Sequence, residues 1–180
     1  MRLVTSNRVG FLVATVAGIA IGTLALGSAH ADAGRPSAAA VRHYTIDSSA
    51  FTPDGLHDAT SDYFNEWDPA TLGNQNSGRC FDTGVVLPNG ATLESVAFYY
   101  TAGASNVMYM ELNRQDLGAH TALELADFDS TPTGTTPTYT KTVLPITSGT
   151  KVNTSKYAYS VGVCPYGDSS FTAVTITYTG

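Results

Sequence analysis

The chain has 180 residues and a formal net charge of −6 at pH 7, with 15 acidic and nine basic residues. Binding to nucleic acid or to an anionic membrane needs clustered Lys and Arg, so this balance argues against both kinds of partner. The part of the chain after residue 31 is long enough for one domain with a sizeable core.

The first 31 residues have the pattern of a signal peptide. Two arginines lie within the first eight positions, an uncharged apolar run follows over residues 9–27, and small residues precede a cleavage site after Ala31. A second such site ends at Ala33, and an uncleaved anchor is the alternative, since ~20 apolar residues cross a bilayer. We expect cleavage after Ala31 or Ala33, secretion without later membrane attachment, and a flexible leader over residues 32–42.

Residues 43–180 read as one all-β domain. Short runs rich in Val, Ile, Thr, Tyr and Phe alternate with Gly, Pro, Asn and Asp, which predicts an antiparallel β-sandwich, jelly-roll-like, of about eight strands. The predicted strands are Arg42–Asp47, Cys80–Val86, Thr92–Thr101, Val107–Arg114, Ala122–Phe128, Tyr139–Leu144, Lys156–Val163 and Phe171–Thr179. The composition of Thr121–Phe128 would also suit one or two helical turns.

The stretch "LPNGATLESVAFYYT" raises the question of an aromatic binding surface. Strand alternation places Phe98 and Tyr100 on a core face and leaves Tyr99 on the other. In the next strand Met108 and Met110 form a matching apolar row. We therefore expect the two strands to pair as a hairpin with both apolar rows in the core. In that register Phe98 faces Met110, Tyr100 faces Met108, and Tyr99 faces Tyr109 in an outward pair.

At the open end of the hairpin, the same register brings Glu94 opposite Arg114, where the two side chains could form an ion pair. The outward pair of Tyr99 and Tyr109 is a candidate ligand contact, although such residues in a sandwich more often pack under a loop.

Cys80 and Cys164 are the two cysteines of the chain. In an oxidising compartment an even pair most simply forms one disulfide, which is our prediction. The alternative is a free reactive thiol, but neither cysteine has a histidine nearby in sequence.

The longest predicted non-strand region, Thr52–Arg79, is the first place to look for function. Trp67, the single tryptophan, and nearby Tyr63 are candidate ligand-stacking residues, as in carbohydrate-binding modules, or anchors of the loop. The region also contains acidic residues whose oxygens could bind Ca²⁺, although most acidic loops are simply solvated. The candidate metal ligands are Asp54, Asp58, Asp62 and Asp68.

Catalytic signatures are missing from the sequence. It has no G-x-S-x-G elbow, phosphate-binding glycine loop or H-E-x-x-H motif, and no catalytic residue can be assigned. A glycosidase would need two carboxylates ~5–10 Å apart, and Glu66 with Asp68 or Glu94 with Glu111 are the nominal pairs.

Several segments together carry a resemblance to a known group. "FTPDG", "GRCF", "VVLPNGATLESVAFYY", "VMYMELNRQD", "VNTSKYAYSVGV" and "FTAVTITYTG" follow one another over Thr45–Gly180. In this order they resemble an uncharacterised group of bacterial secreted β-rich domains with a "LP-GA-V-SV-FYY" hairpin. The resemblance implies the fold and secretion, and it assigns no functional residues.

The sequence therefore predicts a secreted, non-catalytic β-sandwich, a binding or structural module whose partner is an extracellular glycan or a protein. The alternative is a small secreted hydrolase that acts on glycans through loop carboxylates. A third reading is a structural component of the envelope or matrix with no site.

Overall fold

A computed structural model describes residues 39–54, 63–67, 70–74 and 80–180, with the backbone alone for 63–67, 70 and 74. Within these ranges the chain forms eleven antiparallel strands and one short 3-10 turn, Ser48–Ala50. The strands are β1 Val41–Asp47, β2 Thr52–Pro53, β3 Tyr63–Trp67, β4 Ala70–Asn74, β5 Phe81–Gly84, β6 Thr92–Ala102, β7 Tyr109–Asp116, β8 Ala122–Asp129, β9 Thr138–Pro145, β10 Tyr157–Cys164 and β11 Ser170–Thr179.

The strands form two sheets, as predicted for a sandwich. One sheet has six strands in the order β3-β4-β11-β6-β9, with β1 also paired to β11, and the other has five in the order β2-β5-β10-β7-β8. One edge of β11 is shared, because its first residues pair with β4 and residues 173–179 pair with β1. The six-stranded sheet thereby places β1, β11, β6 and β9 side by side.

Strand alternation defines the core between the sheets. In β11, Val174 and Ile176 are fully buried and Tyr178 is nearly so, while the threonines between them lie outward, as the alternation in "VTITYT" predicts. Phe98 of β6 and Met110 of β7 are also fully buried. All of these side chains belong to one hydrophobic cluster to which both sheets contribute.

The predicted hairpin between β6 and β7 is wrong. β6 pairs with β11 and β9 in one sheet, whereas β7 pairs with β10 and β8 in the other, so Phe98 lies opposite Val174 and Thr142 and not opposite Met110. The buried faces of both strands were nevertheless predicted correctly. Alternation identifies the buried face, but a hairpin and two facing sheets bury that face equally well.

The loop that leads from β6 in one sheet to β7 in the other is hydrogen-bonded to the turn before β11. The Asp168 carboxylate accepts hydrogen bonds from the Ala104 N–H at 2.9 Å and from Asn106 Nδ2 at 3.1 Å. The Asn106 bond is the largest cause that holds the pKa of Asp168 below its ordinary value of 3.8. Since folding lowers this pKa, the two hydrogen bonds to Asp168 stabilise the fold at neutral pH. This stabilisation is lost as the pH falls through the lowered pKa.

The structure also bears on the predicted long loop, on the helical alternative for one strand and on the disulfide. The region Thr52–Arg79 is not strand-free, because β2, β3 and β4 lie in it. Ala122–Asp129 is strand β8 and not a helix, and the disulfide between Cys80 and Cys164 is formed as predicted. Among the described residues, no helix has the length and apolar character needed to span a membrane.

Candidate functional site

The outer face of the six-stranded sheet carries a shallow groove. Across four neighbouring strands, Thr45 lies opposite Thr175, Thr175 opposite Ala97, and Ala97 opposite Val143. The outward residues of β1, β11, β6 and β9 around Ala97 enclose a volume of about 390 Å³. We call this feature the hydroxyl groove, since threonines and a serine form much of its wall.

Side-chain hydrogen bonds hold one wall of the hydroxyl groove in place. Thr45 Oγ1 and Thr175 Oγ1 are 2.9 Å apart, and His43 Nδ1 is 3.2 Å from Thr177 Oγ1. Ser95 lies opposite Thr177 and extends this polar row onto β6. A hydroxyl donates one hydrogen bond and accepts up to two, so these groups keep capacity for a ligand after pairing with one another.

The floor of the hydroxyl groove is low because Ala97 has a small side chain. Ala97 points outward between the buried side chains of Val96 and Phe98, and yet it is only 6% exposed. On the β9 side, Val143 is 53% exposed and offers an apolar wall. The groove therefore combines a small floor, a hydroxyl wall and an apolar wall.

Tyr99 is the aromatic residue of the hydroxyl groove. It lies half-buried in the next outward position of β6 after Ala97, directly opposite Lys141 of β9. The exposed Lys141 side chain reaches back so that its Nζ lies 5.0 Å from the centre of the Tyr99 ring. This cation–π contact places a positive charge beside the Tyr99 ring, which borders the groove.

The outer face of the five-stranded sheet has a different chemistry. Four carboxylates lie on neighbouring outward positions of β7 and β8: Glu111, Glu124, Asp127 and Asp129. The acidic face, as we name this surface, also carries Tyr109, whose Oη donates a hydrogen bond to Glu111 Oε2 at 2.9 Å. Desolvation, this bond and the surrounding carboxylates raise the pKa of Tyr109 well above its usual value, so its hydroxyl stays protonated.

A third opening lies between the edges of the two sheets. Tyr100 and Phe128 contact each other there with ring centroids 5.9 Å apart, and threonines of β9 and the preceding loop complete a volume of about 340 Å³. Tyr100 is only 3% exposed, and its hydroxyl is 3.0 Å from Thr142 Oγ1. Both rings are thus committed to the core and leave little aromatic surface for a ligand.

The structure separates the predicted ligand-binding residues. Tyr99 and Tyr109 do not form the expected pair, because they lie on the outer faces of different sheets. Tyr63 and Trp67 belong by their backbone to β3, at the opposite end of the six-stranded sheet from β9, and their side chains lie outside the described structure. Their role in binding stays a prediction.

Most of the predicted metal ligands, and one of the two nominal carboxylate pairs, fall outside the described side chains. Asp54 is described and its N–H donates to the Cys80 carbonyl, while Asp58, Asp62 and Asp68 lie outside the described residues. Within the described ranges, no three His, Cys, Asp or Glu side chains are grouped to hold a metal ion. Of the nominal catalytic pairs, Asp68 lies outside the described residues, and the side chain of Glu66 is likewise undescribed.

Glu94 and Glu111 lie on different sheets, so they cannot act as one catalytic pair. The predicted ion pair between Glu94 and Arg114 is also wrong. Glu94 accepts a hydrogen bond from Thr179 Oγ1 at 3.0 Å, and the Arg114 guanidinium lies 4.1 Å from the centre of the Tyr157 ring. The reason is that β6 and β7 lie in different sheets, so the predicted hairpin that would join the two side chains does not form.

Sequence reasoning missed most of the hydroxyl groove. His43, Lys141 and the outward threonines of β11 were not candidates, although the alternation in "VTITYT" already marked those threonines as outward. The missing information was strand order. Nothing in the local pattern says that β1, β11, β6 and β9 are neighbours.

Comparisons with known proteins bear on the fold. No protein-family model matches the chain, and a search of curated proteins found no match. Among solved structures, the C-terminal CBM6 of LamC, a marine laminarinase from Zobellia galactanivorans, matches with a TM-score of 0.50 and 14% identity over 76% of this chain and 99% of that one. At this identity the likeness concerns the fold alone, which is the β-sandwich of a carbohydrate-binding module.

Two further solved structures are similar. The xylan-binding module CBM15 has a TM-score of 0.49 and 14% identity, over 77% of this chain and 97% of that one. A carbohydrate-binding module from Cellvibrio mixtus lichenase 5A, in complex with cellotriose, has a TM-score of 0.44 and 14% identity over 74% and 95% of the two chains.

Proposed function

We propose that this protein is a secreted, non-catalytic module that binds an extracellular glycan in the hydroxyl groove. The observation that carries the proposal is Tyr99, an outward aromatic ring at the border of a groove lined by hydroxyl groups. A sugar has an apolar C–H face, which packs on an aromatic ring, and a hydroxyl rim, which needs donors and acceptors. The groove offers both kinds of contact side by side.

The dimensions of the hydroxyl groove favour an oligosaccharide over a single sugar. The row from Thr45 to Val143 crosses four strands, which at the usual strand spacing of ~4.8 Å is roughly 14 Å. The groove is also open to solvent and not a closed cavity. An open groove accepts an internal stretch of a long chain, whereas a closed pocket would accept only a chain end.

The walls of the hydroxyl groove support binding over hydrolysis. Among the described residues that line it, none is Asp or Glu. A glycosidase needs two such groups on either side of the scissile bond, ~5–10 Å apart. The likeness of the fold to the LamC module, a carbohydrate-binding module by its name, agrees with a binding role.

Secretion completes the proposal. The signal-peptide pattern of residues 1–31 and the disulfide between Cys80 and Cys164 both suit an oxidising compartment outside the cell. Polysaccharides of cell walls and matrices are present in that setting, so we propose them as the partners.

Two matched tyrosine variants test the proposal. We expect Tyr99→Ala to weaken glycan binding by at least about tenfold, which corresponds to ~1.4 kcal/mol, since truncation of a buried aromatic contact commonly costs more than 1 kcal/mol. Tyr109→Ala removes the same side chain from the acidic face and should leave the affinity unchanged. The measurement is isothermal titration calorimetry with neutral and acidic oligosaccharides, after circular dichroism has shown that both variants fold.

Two results would contradict the proposal. One is an equal loss of affinity in Tyr99→Ala and Tyr109→Ala, which would move binding away from the hydroxyl groove. The other is the absence of binding to every glycan tested, by calorimetry and by thermal shift, which would favour a purely structural protein.

A further inference from the structure

The charge of the hydroxyl groove is opposite to that of the protein. The whole chain has a net charge of −6, and the acidic face concentrates four carboxylates on the other sheet. In the groove, by contrast, the ionisable side chains among the described lining residues are Lys141, His43 and Tyr99. A positive site on an acidic protein attracts an anion locally, although the protein as a whole repels it.

The acidic side chains nearest to the groove along its strands are already engaged. Asp47, two positions after Thr45 on β1, accepts hydrogen bonds from the N–H and the hydroxyl of Ser49. Glu94, next to Ser95 on β6, accepts the hydrogen bond from Thr179 Oγ1. Their donors are neutral, so both carboxylates keep their charge, and Asp47 lies in the same cross-strand row as Tyr99 and Lys141, with Ala173 between. Neither carboxylate lines the groove, whereas the Lys141 ammonium lies against the Tyr99 ring and is the charge that a ligand at this ring meets first.

The position of Lys141 affects which sugars can stack on the Tyr99 ring. With its Nζ 5.0 Å from the ring centre, the ammonium occupies space over the ring face where a sugar would stack. A neutral sugar would displace this cation without replacing its interaction. A sugar with a negative group would displace it and pair with it at once, and the flexible lysine stem allows that movement.

We propose that the glycan bound in the hydroxyl groove is acidic, and that Lys141 selects its carboxylate or sulfate groups while Tyr99 packs against the sugar ring. This inference rests on the proposed function and adds the ligand class. His43, with Nδ1 directed to Thr177, lies at the other side of the groove and can contact a second sugar of the same chain.

Matched acidic and neutral ligands test the inference. The probes are oligogalacturonate and its full methyl ester, together with a sulfated galactan oligosaccharide and its desulfated form, each titrated into the purified protein. We expect at least one acidic member to bind about tenfold more tightly than its neutral partner at low salt, the ratio that one charge-assisted contact gives. The preference should shrink as salt rises, because the Debye length falls from ~30 Å at 0.01 M to ~3 Å at 1 M.

Single lysine variants assign the preference to its residue. Lys141→Gln should bring the acidic and neutral members of a pair to equal affinity, whereas Lys156→Gln, which removes an exposed lysine near Asp116, should keep the preference. A preference limited to the galacturonate pair identifies a carboxylate ligand, and one limited to the galactan pair identifies a sulfate ligand. Either result supports the inference.

The outcomes separate this inference from the proposed function. Equal affinity for acidic and neutral members, with a loss in Tyr99→Ala, would overturn the acidic ligand class and keep glycan binding. A preference that survives in Lys141→Gln would overturn the role of Lys141. No binding of any of the four probes or of neutral oligosaccharides would overturn both.

Discussion

The two outer faces of the sandwich follow the same strand alternation and carry different chemistry. Each carries a tyrosine that alternates with core residues of its own strand, Tyr99 on the six-stranded sheet and Tyr109 on the five-stranded sheet. Around Tyr99 lie hydroxyls and a lysine, whereas the Tyr109 hydroxyl is bonded to Glu111 and surrounded by acids. The core fixes which positions point outward, but it does not restrict the chemistry at those positions.

This difference is the reason why we propose the hydroxyl groove, and not the acidic face, as the glycan site. The hydroxyl of Tyr109 is already used by Glu111, and the Glu111 side chain lies over Gly162, where a Cβ would come within 2.8 Å of its Oε1. A ligand on the acidic face would have to displace these contacts and dehydrate several carboxylates, which is costly. In the hydroxyl groove no described lining residue is a carboxylate, the contact that a ligand must displace is the one between Lys141 and Tyr99, and the small floor residue leaves room for the ligand.

The largest expected effect is a loss of stability when the disulfide is removed, and the same variant shows whether the two faces are independent. Cys80 precedes β5 and Cys164 ends β10, so the disulfide belongs to the five-stranded sheet. We expect the double substitution Cys80→Ser and Cys164→Ser to lower the free energy of unfolding by about 2–5 kcal/mol in urea titrations, since the crosslink closes a loop of 84 positions. A loss below about 1 kcal/mol would contradict this.

The same double variant tests binding. At a temperature where it stays folded, its affinity for a glycan should match that of the unchanged protein within about twofold, because distant sites act additively. A large loss of affinity in the folded variant would mean that the faces are coupled.

A smaller effect is expected from filling the hydroxyl groove. Ala97→Leu places a larger side chain on the floor between Thr175 and Val143, and we expect glycan affinity to fall by about tenfold, ~1.4 kcal/mol. Ala158→Leu makes the same change at an exposed position of the five-stranded sheet and serves as the control. Calorimetry compares the two, and equal affinities would show that the ligand does not reach the floor of the groove.

The smallest effect concerns repulsion on the acidic face. Glu111 and Asp127 lie directly opposite each other on β7 and β8, and like charges in such pairs are destabilising. Asp127→Lys should raise the free energy of unfolding by about 0.5 kcal/mol, a typical value for a cross-strand pair. Glu124→Lys makes the same charge change opposite Asn113 and should gain less, as urea titrations can measure. Equal gains would attribute the effect to net charge alone.

The fold was largely predictable from the sequence, and the site was not. Alternation identified the buried faces of β6, β7 and β11, and the export pattern made the disulfide the natural reading of Cys80 and Cys164. Those signals are local or compositional. The partner of a strand depends on contacts far along the chain, which is why the β6–β7 hairpin was wrong.

The hydroxyl groove needs that non-local information. His43 and Thr177 are 134 positions apart in sequence and meet because β1 pairs with β11. Tyr99 and Lys141 meet because β9 pairs with β6, although the two residues are far apart in sequence. Tyr99 was a candidate from its alternation, but the threonines, the lysine and the histidine around it became visible only with strand order.

The most direct test of glycan binding in the hydroxyl groove is a map of backbone amide chemical shifts during titration with the tightest-binding oligosaccharide. We predict that the perturbed amides cluster on β1, β11, β6 and β9, around Ala97 and Tyr99, and that those of β7 and β8 stay unchanged. Perturbations centred on Tyr109 and the acidic face, or at the opening between Tyr100 and Phe128, would contradict the account.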